Sequence, residues 1–363
     1  MLIASMIASL LGNAWSSEAQ ADNPPATVEV SRFGEMPDGT EVRLFTLSNG
    51  KGLEANVMTL GATLTTVKAQ DRDGNAEAIT LSKDALDGYL AGHPMLGSVI
   101  GRFANRIAGA SFSINGTSHR LIANEGENHI HGGGQEGFAW KVWEAEPIQG
   151  EGFSGVKLSL TSPDGEAGYP GTVQVDVTYM ITTDNMIIME YNATTDQPTH
   201  INLTNHAYWN LAGADNQGDV LGHIVELRAS HYLPTDDALI PTGEVRPVEG
   251  TPLDFQEPMP IGSRVHQLDP PRYDHCFVID RDAEIAGPTL AAKVFEPTSG
   301  RSMEVFTTQP GVQFYTGNPL GFCLETQHYP DAPNHPDFPS TLLRPGETFR
   351  QVTIHKFGVE QAR

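Results

Sequence analysis

Apolar and polar residues alternate along most of this chain with period two, the spacing of a half-buried strand. The pattern predicts strands at 41–47 (EVRLFTL), at 156–161, 172–181 and 186–191, and at 348–356. Residues 53–68 (LEANVMTLGATLTTVK) read as two strands broken at Gly61. Turn chemistry separates the runs: Asp71 to Gly74, Asp164-Gly165, and Thr183 to Asn185. Residues 109–114 and 118–122 flank Asn115-Gly116, the preferred dipeptide of a two-residue hairpin. Helical periodicity is confined to 83–90 (KDALDGYL), which predicts one short helix. No internal repeat, coiled-coil heptad or low-complexity tract breaks the succession. The order of elements predicts an all-β protein, a large antiparallel β-sandwich forming one domain over 29–358, with 359–363 as a C-terminal tail.

Composition adds to this picture. The 37 Gly and 25 Pro among 363 residues suit short strands joined by turns. Lys+Arg is 22 against 45 Asp+Glu, a formal charge of −23. That balance argues against nucleic acid and anionic membranes as partners, and against a phosphorylated substrate unless a local arginine pocket overrides the global field. Residues 1–12 are mostly apolar and too short to span a bilayer, and Ala19-Gln20-Ala21 offers a cleavage site. Residues 1–21 therefore read as a signal peptide, although no Lys or Arg precedes the apolar run, and 22–28 as a linker. The expectation is an exported, periplasmic protein, with a cytoplasmic one as the alternative. Cys276 and Cys323 are too few for a disulfide framework in so long a chain and read as small buried apolar residues.

The chemistry is expected around 321–331, GFCLETQHYPD. On a strand, Phe322, Leu324 and Thr326 face one way and Cys323, Glu325 and Gln327 the other. Glu325 then stands in a largely apolar segment, where a carboxylate must find donors, find a cation or rise in pKa. Such an acid is either half of a structural ion pair or a general base.

Five other stretches place polar groups where a core does not need them. In 101–107 (GRFANRI), Asn105 and Arg106 combine an amide with a planar guanidinium, and both can hold neighbouring hydroxyls. In 128–133 (NHIHGG), His129 and His131 would share one face of a strand; without a closely spaced third ligand, a hydrogen-bonding His131 is expected rather than a metal. The glycines that follow suggest a ligand near the backbone. In 202–213 (NLTNHAYWNLAG), His206 can donate a proton near neutral pH, and Tyr208 and Trp209 offer rings to the apolar face of a pyranose. Asp274 follows a Pro-rich loop, and Gln313 is a polar residue on an otherwise apolar strand. No nucleophile elbow, phosphate loop or dinucleotide fingerprint is present.

Taken in order, these motifs resemble the aldose 1-epimerase (galactose mutarotase) family. They are joined by SPDGEAGYPG (162–171), LPTDDALIPTGE (233–244), TPLDF (251–255), TTQPGVQFYTGN (307–318) and LLRPGE (342–347), so the resemblance covers about residues 31–357. It implies an antiparallel β-supersandwich, no metal or organic cofactor, and interconversion of the α and β anomers of a free aldose. It implies Glu325 as the catalytic base, His206 as the acid, and His131 as a group polarising the substrate near the ring oxygen. Asn105, Arg106, Asp274 and Gln313 match the family's sugar-binding positions. The expected partner is a small aldose, and the expected assembly a monomer or homodimer. His129 stands where the family usually has a small or polar residue, which predicts an altered rim contact. Only Pro319-Leu320 separate Asn318 from Gly321, which predicts a more open cleft.

Opening a hemiacetal needs a base at the C1 hydroxyl and an acid at the ring oxygen; an ionised Glu325 and a protonated His206 would supply them. The alternatives are a hexose-6-phosphate mutarotase-like enzyme, a non-catalytic sugar-binding sandwich, and a glycosidase using Glu325 and Asp274 as paired carboxylates.

Overall fold

The computed structural model describes residues 25–216, 218–282 and 287–360. The predicted signal peptide and the cleavage site lie outside these residues. The first strand, Thr27–Glu35, starts inside the stretch read as a linker, and the last, Phe349–Val359, reaches one residue into the predicted tail.

Antiparallel pairing dominates. Thr27–Glu35, Glu41–Ser48, Glu54–Met58, Thr63–Gln70 and Ala76–Ala78 form a meander in chain order. A nine-stranded sheet runs Glu144–Gly150, Phe153–Ser162, Val173–Thr182, Met186–Thr195, Phe349–Val359, Arg301–Thr307, Thr289–Phe295, Ile224–Leu227, Met259–Pro260. The C-terminal strand thus lies at its centre and joins the middle of the chain to the later strands. A second five-stranded sheet orders Arg246–Pro247, His231–Tyr232, Asp274–Val278, Gly311–Asn318 and Gly321–Gln327. One continuous apolar cluster joins the three: Val57 and Leu64 from the meander, Val177 and Ile187 from the nine-stranded sheet, Phe314 and Leu324 from the other. This is the layered solution that strands with one apolar face require.

The predicted hairpin is present as Ser111–Ile114 and Thr117–Arg120, with Asn115 (φ 50°) and Gly116 (φ 82°) both left-handed as its turn demands. The helix is shorter than its pattern, covering only Leu86–Leu90 and burying Leu86 and Tyr89. Gly88 inside it weakens its helical propensity. Both cysteines are free and buried, as small apolar residues would be.

Candidate active site

The strand Gly321–Gln327 is buried along its whole length. Phe322 and Leu324 enter the main core, which leaves Glu325 on the opposite face. Register sets its neighbours: Glu325 pairs with Gln313 and Gln313 with Cys276, while Cys323 pairs with Tyr315 and Tyr315 with Asp274. Gln313 therefore stands beside Glu325, and Asp274 is diagonal to Gln313 on the same face. The Gln313 Nε2–H donates to Asp274 Oδ1 at 2.7 Å. A register shift between Tyr315 and Asn318 places a bulge beside these residues, a common device next to functional sites.

His206 comes from a segment whose two-residue strand Thr204–Asn205 pairs with Val99–Ile100. Its Nε2 lies 3.7 Å from Glu325 Oε2. Its Nδ1 faces Cys323 Sγ at 3.5 Å, and its ring stacks on Tyr208 with centroids 5.1 Å apart. The His131 ring stands edge-on to His206 at 5.3 Å. Asn105 holds His131 twice: its backbone N–H donates to His131 Nδ1 (3.1 Å), and its carbonyl accepts from the His131 backbone N–H (3.1 Å). Both residues are left-handed, with φ 65° and 50°. The Asn105 side-chain Oδ1 accepts from the Arg106 N–H at 2.9 Å. The Arg106 guanidinium makes a bidentate pair with Glu125, at 2.6 and 2.8 Å.

These side chains enclose a cavity of about 330 Å³, at the small end of the range for small-molecule sites. Pro94, Met95, Ile130, Arg272 and Tyr315 complete its wall. A larger hollow of about 740 Å³ lies against Lys293, Glu304 and Lys356, whose charges pair with one another, and no imidazole lines it.

Burial controls the protonation of the central groups. Glu325 is 3 % exposed and its Oε2 has no hydrogen-bond partner. Burial first, and the Asp274 charge second, push its carboxyl up to about 8, against the pull of Arg106. Burial lowers His206 to about 4. It also takes His131 well below the usual imidazole range, helped by the charges of His206 and Arg106. These shifts favour the proton that the pair shares on the carboxyl, in place of the expected pairing of ionised Glu325 with protonated His206. His131 is neutral and accepts a hydrogen bond at Nδ1, so its proton is on Nε2.

Among the described residues, His131, His206 and Glu325 are the one group of three candidate ligands close enough to share a cation, with donor atoms within 4.8 Å of one another. The hydrogen bonding opposes that use. A metal on His131 Nε2 would need a lone pair there while Nδ1 already uses its own to accept from Asn105, which describes an imidazolate. Metal-bound histidines normally donate from their second nitrogen to an acceptor.

The structure thus brings together Glu325, His206, His131, Asn105, Arg106, Tyr208, Asp274 and Gln313, all of which line the cavity. Other expectations are corrected. His129 is not at the rim or on a shared face with His131: the strand ends at Ile130, and His129 is buried between Ile122 O (2.7 Å) and Tyr169 Oη (2.8 Å). The glycines after His131 serve packing, since a Cβ on Gly132 would sit 1.8 Å from Gly101 O. Trp209 is a core residue against His355. Apart from these corrections, the short turn at Pro319-Leu320 accepts hydrogen bonds from the Val220 N–H and the Asn210 amide, each at 3.0 Å. Sequence reading missed Glu125, Tyr315 and Arg272; nothing in their local patterns separates them from other loop or strand residues.

Fold and site together define a β-sandwich protein with a small polar cavity built around a buried acid and two imidazoles. Residues 43–356 match the aldose 1-epimerase family. The galactose mutarotases of Rattus norvegicus and Homo sapiens are each 41% identical over 351 residues, covering 92% of this chain and 99% of theirs. The solved structure of galactose 1-epimerase from Lactobacillus acidophilus has a TM-score of 0.82 and 26% identity over 93% of this chain and 100% of that one. The chain belongs to the aldose 1-epimerase family.

Proposed function

We infer that Glu325 and His206 exchange protons with the anomeric centre of a free aldohexose such as glucose or galactose. In this way the protein, an isomerase, interconverts the α and β anomers of its substrate. The observation that carries the roles is the buried, unpartnered Glu325 Oε2 set 3.7 Å from His206 Nε2 in a sugar-sized cavity. A proton leaves the C1 hydroxyl for the carboxylate while the imidazole supplies one to the ring oxygen. The ring opens to the aldehyde, C1 turns about the C1–C2 bond, and the exchange runs backward on the other face. His131 Nε2–H and Arg106 stabilise charge developing on oxygen. Asn105, Asp274 and Gln313 hold remote hydroxyls, and the Tyr208 ring offers an apolar wall.

The pair holds one proton across a wide range, either on Glu325 or on His206, so it titrates as a unit. Below about 4 both groups are protonated and the base is lost. Above about 8 neither is, and the acid is lost. Optical-rotation decay of freshly dissolved α-galactose should show kcat/KM flat between these limits and falling about tenfold per pH unit beyond each. A single limb centred near 6.5 would assign catalysis to an unperturbed histidine instead.

The same decay followed after exhaustive dialysis against a chelator should keep its rate. Loss of activity restored by added Zn²⁺ would put the His131, His206 and Glu325 donors on a metal.

A further inference from the structure

The cavity holds a charge that opening a neutral sugar does not use. Arg272 lines it together with Asp274 and Tyr315. The other arginine there, Arg106, is neutralised by its bidentate pair with Glu125. Among the described residues, the Arg272 guanidinium has neither an ion pair nor a hydrogen bond; its charge acts on the Tyr315 hydroxyl, which it lowers against the effect of burial. It stands on a fixed base. The Arg272 backbone N–H donates to Pro270 O (2.7 Å), and Tyr273 exchanges hydrogen bonds with Thr316 at 2.9 and 3.0 Å. The buried Tyr273 ring stacks on Phe314.

Its position along the sheet says which part of a substrate it meets. Within the strand Asp274–Val278, Asp274 and Cys276 share a face, and Cys276 is in register with Gln313 and Glu325; Arg272 immediately precedes this strand, tied to it through the Tyr273–Thr316 hydrogen bonds. The Arg272 backbone thus lies beyond Asp274, on the far side of it from the row that carries the base. The anomeric carbon must sit beside Glu325 and His206, so Arg272 faces the part of the sugar remote from C1.

We propose that this enzyme also mutarotates aldoses bearing a carboxylate remote from C1, hexuronates, and that Arg272 is the residue that accepts the acid. The proposal rests on the anomer-interconverting reading of the same site. A planar guanidinium meets a carboxylate with two parallel hydrogen bonds. A phosphate at the same place would bring about two negative charges and more bulk into a small cavity that already holds Asp274 and Glu325, within a chain of net charge −23.

The test is polarimetry, or NMR anomer exchange, on D-galacturonate, D-glucuronate, the two neutral hexoses and D-glucose 6-phosphate at pH 7, with wild type and Arg272→Gln. Wild type should accelerate anomer exchange of the uronates. Arg272→Gln should lower kcat/KM for them at least tenfold more than for the neutral hexoses, the loss expected of a charge-assisted contact. Arg272→Lys should recover part of that difference. Three results overturn the proposal: turnover of neutral hexoses with none of uronates, an equal loss on both classes, or an Arg272-dependent preference for the phosphate. Absence of turnover on every sugar would instead count against the mutarotase reading itself.

Discussion

Replacing Glu325 with Gln should leave a folded, sugar-binding protein that has lost roughly a thousandfold in kcat, within the range for removing a general acid–base group. Gln is nearly isosteric, and the site it enters is defined by fixed neighbours: Gln313 in register, His206 Nε2 at 3.7 Å, and the Phe322 and Leu324 rows behind. The amide can still accept and donate, but it cannot take the C1 proton. Stability supplies an independent readout. Burial pushes the folded carboxyl up to about 8 from the 4.5 of a free glutamate, so its contribution is complete below pH 4.5 and is lost as pH rises through 8. Gln does not titrate. The melting temperature of Glu325→Gln relative to wild type should therefore rise between pH 5 and pH 8. A folded variant keeping more than about a tenth of wild-type kcat would falsify the role of Glu325 as base.

The same buried carboxyl separates the reading from two of its alternatives. A sugar-binding module has no use for an acid whose Oε2 is buried without a donor, because such a group costs stability and gains little for ground-state recognition. A retaining or inverting glycosidase needs a second free carboxyl as leaving-group acid. Asp274 is the nearby candidate, and it is occupied by the Gln313 amide. What remains favours a reaction in which one proton is passed between two buried groups.

Much of this was legible before any coordinates because it rests on local rules. The Asn115-Gly116 turn needs positive φ, and few dipeptides supply it. Glu325 and Gln313 stand out because a polar residue interrupts an apolar alternation, and both face the cavity. The failures come from long-range geometry. His129 and His131 have strand spacing, but His131 turns into the left-handed region and the spacing no longer applies. The strand Glu144–Gly150 (EAEPIQG) lacks apolar alternation because it is a largely exposed edge, where Pro147 costs the sheet little. Glu125 is one of 45 acidic residues, and only its contact with Arg106, 19 positions away, marks it out. The pKa order was also beyond the sequence: an acid among apolar residues is expected to rise, but that burial lowers His206 in the same cavity follows only from the packing.

His206→Asn should lose about as much kcat as Glu325→Gln, and the double variant should lose far less than the product of the two. Asn can hold a hydroxyl in place but cannot deliver a proton to the ring oxygen. The 3.7 Å separation of Nε2 from Oε2 puts both groups on one anomeric centre, where removal of one proton and delivery of the other belong to a single exchange. Once either end is missing, the remaining group has no partner step to assist, so its later removal costs little. Two losses of roughly a thousandfold should thus combine to about a thousandfold to ten-thousandfold, not a millionfold. Thermal melting must accompany the kinetics, because the His206 ring also packs on Tyr208 and against Cys323. The two contributions separate by pH. Wild-type His206 titrates at about 4 when folded against 6.5 when unfolded, so its share of stability is present above 6.5 and is lost as pH falls through 4. Packing lost with the ring does not depend on pH. A melting deficit in His206→Asn that is constant above pH 7 and shrinks below pH 6 identifies both. If kcat in the double variant falls by the full product, the two residues act in independent steps, and the one-proton pair is the wrong description of this site.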